Sequence, residues 1–279
     1  MTAPLIAAEG LRVAFPDLAR KRPFRRPPTV DVLHGIDFAI GRGEAVGIVG
    51  ESGSGKTTLG RALLRLVEPS AGRITFDGAD ISHAPESALR PMRARMQMIF
   101  QNPLAALNPR RTVLASVAAP LIAAGERTRL RERAAAALER AGLASHLGGR
   151  YPHQLSGGQR QRVGIARAIV TGPAFILADE IVSGLDVATQ AQILDLLRAL
   201  RREMGLALGF IAHDLSVVRV LCERVAVMHQ GRIVEDGPCA QVFAAPAHPY
   251  TRRLLAAIPL PEIDETWLDA ADPEWSETG

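Results

Sequence analysis

The sequence predicts an α/β fold. Its core is a mostly parallel sheet with helices on both faces, joined by an antiparallel β subdomain and interrupted by an inserted helical subdomain. Three observations lead there. Short β-branched runs alternate with longer runs of helical spacing, as in "AVGIVG" (45–50) followed by "TTLGRALLRLV" (57–67). That first pair encloses the pattern G-x-x-x-x-G-K-[ST] at Gly50, Gly55, Lys56 and Thr57, which fits a phosphate-binding loop between strand and helix. A block from about 104 to 170 then loses the strand pattern and becomes rich in Ala and Arg.

The elements follow in order. "LRVAF" (11–15) and "VLHGIDFAI" (32–40) alternate as antiparallel strands do, with the basic run "ARKRPFRRPP" (19–28) between them. "GRITFDG" (72–78) is a short strand ending in a turn, and "MQMIFQNP" (96–103) is an apolar strand broken at Pro103. Within the helical block, "RLRERAAAALERAGL" (129–143) is the clearest amphipathic piece. Strand character returns in "AFILADE" (174–180) and "LALGFIAHD" (206–214), on either side of a helix over 188–205 that ends in glycine. There is no internal repeat.

Composition limits the classes. The longest nearly uncharged stretch, 112–125, is too short and too Ala-rich to cross a bilayer. "MTAPLIAAEG" lacks the basic start and apolar length of a secretory leader, so the chain is expected to remain in the cytoplasm. Cys222 and Cys239 have no metal-ligand spacing, and two thiolates are too few for the usual iron–sulfur cluster. The net charge is +4, yet residues 261–279 carry seven acids and no Lys or Arg, so residues 1–260 carry 4 + 7 = +11. The run at 19–28 reads as a solvated Pro-rich surface loop, and no nucleic-acid partner is expected. Trp267 and Trp275 both lie in the acidic tail, where they could dock on a basic surface.

The residue types at the turn have physical reasons. Successive backbone N–H groups in a glycine-rich turn form a concavity for anions, and the next helix aims its positive end there. Lys56 adds a point charge for the outer phosphates and the Thr57 hydroxyl can ligate Mg²⁺. Of the 33 Lys and Arg residues only Lys21 and Lys56 are lysine, so a chain drifting toward Arg has kept lysine where Arg's planar fork is a poor substitute. Asp179 ends an apolar strand, the place where open α/β sheets bind ligands, and a carboxylate there can support Mg²⁺. Glu180 beside it suits general-base work on water. In "QLSGGQRQRVGIARAIV" (154–170), Ser156 is a good helix cap and Gly157 and Gly158 leave the first N–H groups accessible.

GESGSGKTT, IFQNP, LSGGQRQR, ILADE and IAHD, in this order and spacing, resemble the nucleotide-binding subunit of an ATP-binding cassette (ABC) transporter. The resemblance covers residues 1 to about 258 and implies a P-loop NTPase (RecA-like) core. It divides the chain into a core with its antiparallel subdomain (1–102 and 163–240), a helical subdomain carrying the signature motif (103–162) and a C-terminal extension (241–279). It further implies that Gly50, Glu51, Ser52, Gly53, Ser54, Gly55, Lys56, Thr57 and Thr58 hold the triphosphate of ATP. Thr57 and Gln101 would ligate Mg²⁺, with Asp179 in support. Glu180 would polarise the attacking water and His213 would contact the γ-phosphate. Ser156, Gly157, Gly158 and Gln159 would cap ATP bound to the opposing subunit, and Asp186 would sit at the dimer seam. One departure is Ile181, where the family usually has Pro after the two acids. The adenine-stacking aromatic is open between Phe15 and Phe24.

"VFAAPAHPYTRRLLAAIP" (242–259) and "FQNPLAALNPR" (100–110) resemble the ATPases of oligopeptide, dipeptide, nickel and opine importers. The spacing of Leu254, Leu255 and Ile258 fits a helix packed on the sheet edge. This resemblance implies a motor subunit peripheral to the cytoplasmic face of the inner (plasma) membrane. Its partners would be a second ATPase subunit (a copy or a paralogue), two membrane-spanning permeases and an extracytoplasmic substrate-binding protein, coupled through the helical subdomain just after Gln101. The alternatives are an importer of nickel- or opine-type cargo and an accessory ABC ATPase of a soluble enzyme complex such as carbon–phosphorus lyase.

Overall fold

The computed structural model describes residues 3–17 and 28–257 and contains two sheets. The first is antiparallel, in the order β2-β1-β4-β5, built from β1 (Ile6–Pro16), β2 (Thr29–Ile40), β4 (Ala71–Phe76) and β5 (Ala79–Asp80). The second has the order β10-β9-β3-β8-β7-β6, built from β3 (Ala45–Val49), β6 (Met96–Ile99), β7 (Phe175–Asp179), β8 (Ala207–Ile211), β9 (Arg224–His229) and β10 (Arg232–Pro238). Its strands run parallel except β10, which pairs antiparallel with β9. The basic run at 19–27 and the acidic tail with its two tryptophans lie outside the described residues.

Strands buried on both faces read as continuous apolar runs, and the packing shows why. In β7, Phe175 and Leu177 face one core while Ile176 and Ala178 face the other. The first core lies under the antiparallel sheet and α1 (Lys56–Leu63), and the second extends into the helical region. Each fully buried Ile or Leu there, Ile48 and Leu177 among them, contributes about 1.5–3 kcal/mol. Among the described residues no helix is long and apolar enough to cross a membrane.

The helical block resolves into α3 (Pro103–Ala106), α4 (Val113–Ala123), α5 (Leu130–Arg140) and α6 (Gly157–Ile169). The expected boundary at 162/163 falls inside α6, whose buried Val163, Ile165 and Ala166 belong to the same core as Val113 and Val117 of α4. The helix expected over 57–67 ends at Leu63, because Arg65 turns left-handed at φ 51°. α2 (Glu86–Arg93), α8 (Leu215–Leu221), β9 and β10 gave no sequence signal of their own, whereas the glycine-stopped helix emerges as α7 (Val187–Met204). The chain closes with α9 (Cys239–Ala244) and α10 (Pro249–Ala256). Leu254 and Leu255 of α10, expected on the sheet edge, are partly buried against the second core; Ile258 lies outside the described residues.

Candidate functional site

Four parallel strands deliver the predicted residues to one edge. β3 runs into the glycine-rich loop, β6 leads to Gln101, β7 ends on Asp179 with Glu180 next, and β8 leads to His213. The register aligns these ends, with Ile99 opposite Ala178, Asp179 opposite Ile211 and Ile48 opposite Ile211. Residues as far apart in sequence as Ser52 and His213 therefore meet because parallel strands share a carboxyl end. They line a cleft of about 480 Å³ with Ser52, Gly53, Gly55, Lys56, Thr57, Thr58, Gln101, Glu180 and His213 on its walls.

The loop needs its glycines. A Cβ on Gly50 would lie 2.2 Å from the Met228 carbonyl oxygen, so no side chain fits against the β9 end. Gly55 has φ 102° and precedes α1 with no side chain capping the helix, which leaves first-turn N–H groups for a ligand. Lys56 is 4% exposed, and its ammonium donates to the carbonyls of Gly50 at 2.7 Å and Glu51 at 2.8 Å. Burial lowers its pKa, against the opposing pull of Glu180, Asp179 and Glu51. The Ser54 hydroxyl, also inside the loop, is buried without a hydrogen-bond partner.

The carboxylates differ. Asp179 is 4% exposed and accepts from the Thr57 hydroxyl at 3.1 Å; burial raises its pKa, while the Thr57 bond acts the other way. Glu180 stands at φ 51°, a left-handed backbone that disfavours any residue with a Cβ. The turn holds it there, with its carbonyl accepting from the Ser183 backbone at 3.1 Å and hydroxyl at 2.8 Å. Its carboxylate oxygens separate two partners. One accepts from the Gln101 amide at 2.7 Å and the other lies 2.5 Å from Nε2 of His213. Ile181, at the departure from the family pattern, is 1% exposed and belongs to the core, so the loop is anchored by burial where proline would stiffen it.

Ser156, Gly157, Gly158, Gln159 and Asp186 do not line this cleft. Ser156 and Gln159 close a reciprocal capping box on α6, and both Ser156 and Gly157 are exposed. Asp186 caps α7 through Thr189, whose hydroxyl lowers its pKa. Phe15 does not line the cleft and Phe24 lies outside the described residues. Sequence reasoning assigned no role to Tyr250, whose hydroxyl accepts from the Glu51 backbone N–H at 2.9 Å. Tyr250 is the one aromatic of the stretch 245–257, but nothing in the sequence pairs it with the Glu51 backbone.

A glycine-rich loop before a helix and an Asp-Glu pair at the end of the strand one removed in the same sheet define a P-loop nucleotide-hydrolysing cassette. Comparison with known proteins makes this specific. Residues 33–183 match the ABC transporter family and residues 234–276 match the oligopeptide/dipeptide transporter C-terminal region. A putative peptide import ATP-binding protein of Brucella ovis is 49% identical over 263 residues, 94% of this chain and 80% of the relative. A glutathione import ATP-binding protein of Salmonella paratyphi A is 48% identical over 260 residues, 92% of this chain and 41% of that protein. Among solved structures, the dimer of the ATP-binding cassette MJ0796 in a post-hydrolysis state with ADP and Pi aligns with a TM-score of 0.74 at 30% identity, covering 84% of this chain and 98% of that one. The chain belongs to the ABC transporter family and is an ABC ATPase.

Proposed function

We propose that the chain is the ATP-hydrolysing motor of a peptide-class importer. The observation that carries the chemistry is the convergence of Gln101, Glu180 and His213 on the cleft that Lys56 and Thr57 line. The peptide-transporter match at the C-terminal end and the import names of the relatives carry the cargo class. They favour this reading over an accessory ATPase of a soluble enzyme.

The residues present fit ATP and Mg²⁺. The glycine turn offers backbone donors without side chains, the orphaned Ser54 hydroxyl lies within the same loop, and the Lys56 ammonium has a third proton beyond the two it gives the loop. The Thr57 hydroxyl, the Asp179 carboxylate and the Gln101 amide oxygen are the hard oxygen donors that Mg²⁺ takes. When bound, Mg²⁺ neutralises charge on the phosphates. Lys56 holds the outer phosphates. Gln101 and His213 fix the orientation of the Glu180 carboxylate, and Glu180 accepts a proton from the attacking water. His213, 46% exposed at its side chain, reaches the γ-phosphate from the end of β8.

Ser156, Gly157, Gly158, Gln159 and Asp186 serve the cleft of a second ATPase subunit, so that two sites lie between two chains. The division into core, helical subdomain and C-terminal extension follows from the same reading. Two permeases and an extracytoplasmic binding protein complete the assembly at the cytoplasmic face of the inner membrane. We assign the permease contact to the groove between α2 and α4, about 510 Å³, lined by Arg90, Gln97, Pro120 and Arg167. It lies beside β6, the strand that leads to Gln101.

Affinity purification of the tagged chain from detergent-solubilised membranes tests the proposal. Two membrane-spanning proteins are expected to co-purify, with ATP hydrolysis stimulated by a peptide-loaded binding protein. Recovery with a soluble enzyme core alone would overturn it.

A further inference from the structure

The C-terminal segment around Tyr250 touches the phosphate loop at a point that the proposed chemistry does not use. Three consecutive residues build the contact. His248 caps α10, its ring Nδ1 accepting from the Tyr250 backbone at 3.1 Å. Pro249, with φ fixed by its ring, occupies the first turn, where its missing N–H costs nothing. Tyr250 is 2% exposed, its ring 4.0 Å from that of His229 at the end of β9. The start of the segment is fixed independently, because the Glu235 carboxylate of β10 accepts from the backbone N–H groups of Ala247 at 2.8 Å and His248 at 3.0 Å.

The Tyr250 hydroxyl accepts from the Glu51 N–H at 2.9 Å. The carbonyl of the same Glu51 accepts from the Lys56 ammonium at 2.8 Å and the Ser54 N–H at 3.2 Å. Both peptide groups of Glu51 are therefore held, one from the C-terminal helix and one from inside the loop. Burial raises the pKa of the phenol, which keeps its proton at physiological pH.

We infer that Tyr250 is a positioning residue of the nucleotide site, which sets the phosphate loop through Glu51 and thereby the place of the Lys56 ammonium. The inference rests on reading the loop as the ATP site and adds a specific dependence of ATP affinity on the C-terminal helix. The β9–β10 hairpin completes the support, with the Gly231 N–H donating to the Ser54 carbonyl at 3.0 Å. Displacing α10 would loosen the loop without touching Glu180.

Tyr250→Phe removes the hydroxyl and leaves the ring packed on His229. In the full chain we expect the affinity for ATP, and the KM, to weaken about threefold to tenfold, the range of one lost hydrogen bond, with kcat at saturating ATP and the thermal midpoint nearly unchanged. Amide hydrogen exchange without nucleotide gives an independent readout. The Glu51 N–H should exchange faster in Tyr250→Phe while the amides of β7 do not change. Wild-type ATP affinity together with wild-type Glu51 exchange would overturn the inference and leave the ATP-site reading intact. Failure of the wild-type chain to bind ATP would instead overturn the reading beneath it. A drop in thermal midpoint with uniformly faster exchange would show ordinary core packing and would also overturn the positioning role.

Discussion

The molecule contains two glycine-rich turns that lead into helices, and it treats them in opposite ways. At Gly55 no side chain caps α1, the lysine beside it is buried, and the turn faces a cleft lined by Glu180 of the same chain, with Asp179 bonded to Thr57 behind it. At Ser156 the hydroxyl and Gln159 cap α6 between themselves, and Ser156 and Gly157 are exposed and lie off the cleft that Lys56 lines. Both present helix N-termini to an anion, but only the first has the residues around it to act on one. On the function proposed above, a single chain carries one complete phosphate cradle and one outward-facing half. An outward half with a finished cap needs a second surface, which is consistent with the dimeric cassette among the structural relatives.

The comparison is best broken on its inward side. Replacing Glu180 with Gln keeps its size but removes the proton acceptor. ATP hydrolysis should fall about 10²–10⁴-fold, the range for lost general-base catalysis, while ATP still binds. Wild-type turnover would assign the base elsewhere. Lys56→Ala has the next largest effect. It leaves the carbonyls of Gly50 and Glu51 without their ammonium and removes the charge meant for phosphate. Calorimetry should show ATP affinity reduced about 100-fold, the size of a lost charged hydrogen bond.

A smaller effect sharpens the picture of the buried acid. Burial raises the pKa of Asp179, so its folded value lies above its unfolded one. The folded state then binds more protons in that window. Stability from this group is full below the unfolded value and is lost as pH rises through the folded one. Asp179→Asn removes that loss and keeps an oxygen for the Thr57 hydroxyl. Without nucleotide, its thermal midpoint should exceed that of the wild type at pH 7, and the gap should narrow toward about pH 4. A lower midpoint at pH 7 would show that the Thr57 bond outweighs burial.

How much of this was legible depends on the range of the signals. The phosphate loop, Asp179, Glu180 and the Ser156 turn are local patterns. Glycines, a capped helix and an apolar strand ending in acids each have a reason within ten residues. That Gln101 and His213 belong to the site of Glu180 followed only from the family resemblance, and their convergence on its one carboxylate was not expected, because their meeting depends on strand order. The β9–β10 hairpin escaped notice in part because β10 is only partly buried, so its alternation is weak. Tyr250 escaped because its partner is a backbone N–H almost 200 positions away, which no side-chain pattern records.

The central proposal is that the outward turn at Ser156 closes the site of a second ATPase subunit; for a second copy in that place, the mass of the ATP-bound species tests it most directly. Glu180→Gln is expected to retain nucleotide, so with saturating ATP it should sediment at twice the 29.9 kDa of one chain. Adding Ser156→Asp to it keeps a good helix cap but places a negative charge where phosphate should arrive. The account predicts that this double variant binds ATP with the affinity of Glu180→Gln alone and stays at the mass of one chain. A dimer that forms equally well with Ser156→Asp, or a Glu180→Gln chain that remains single while saturated with ATP, would contradict it.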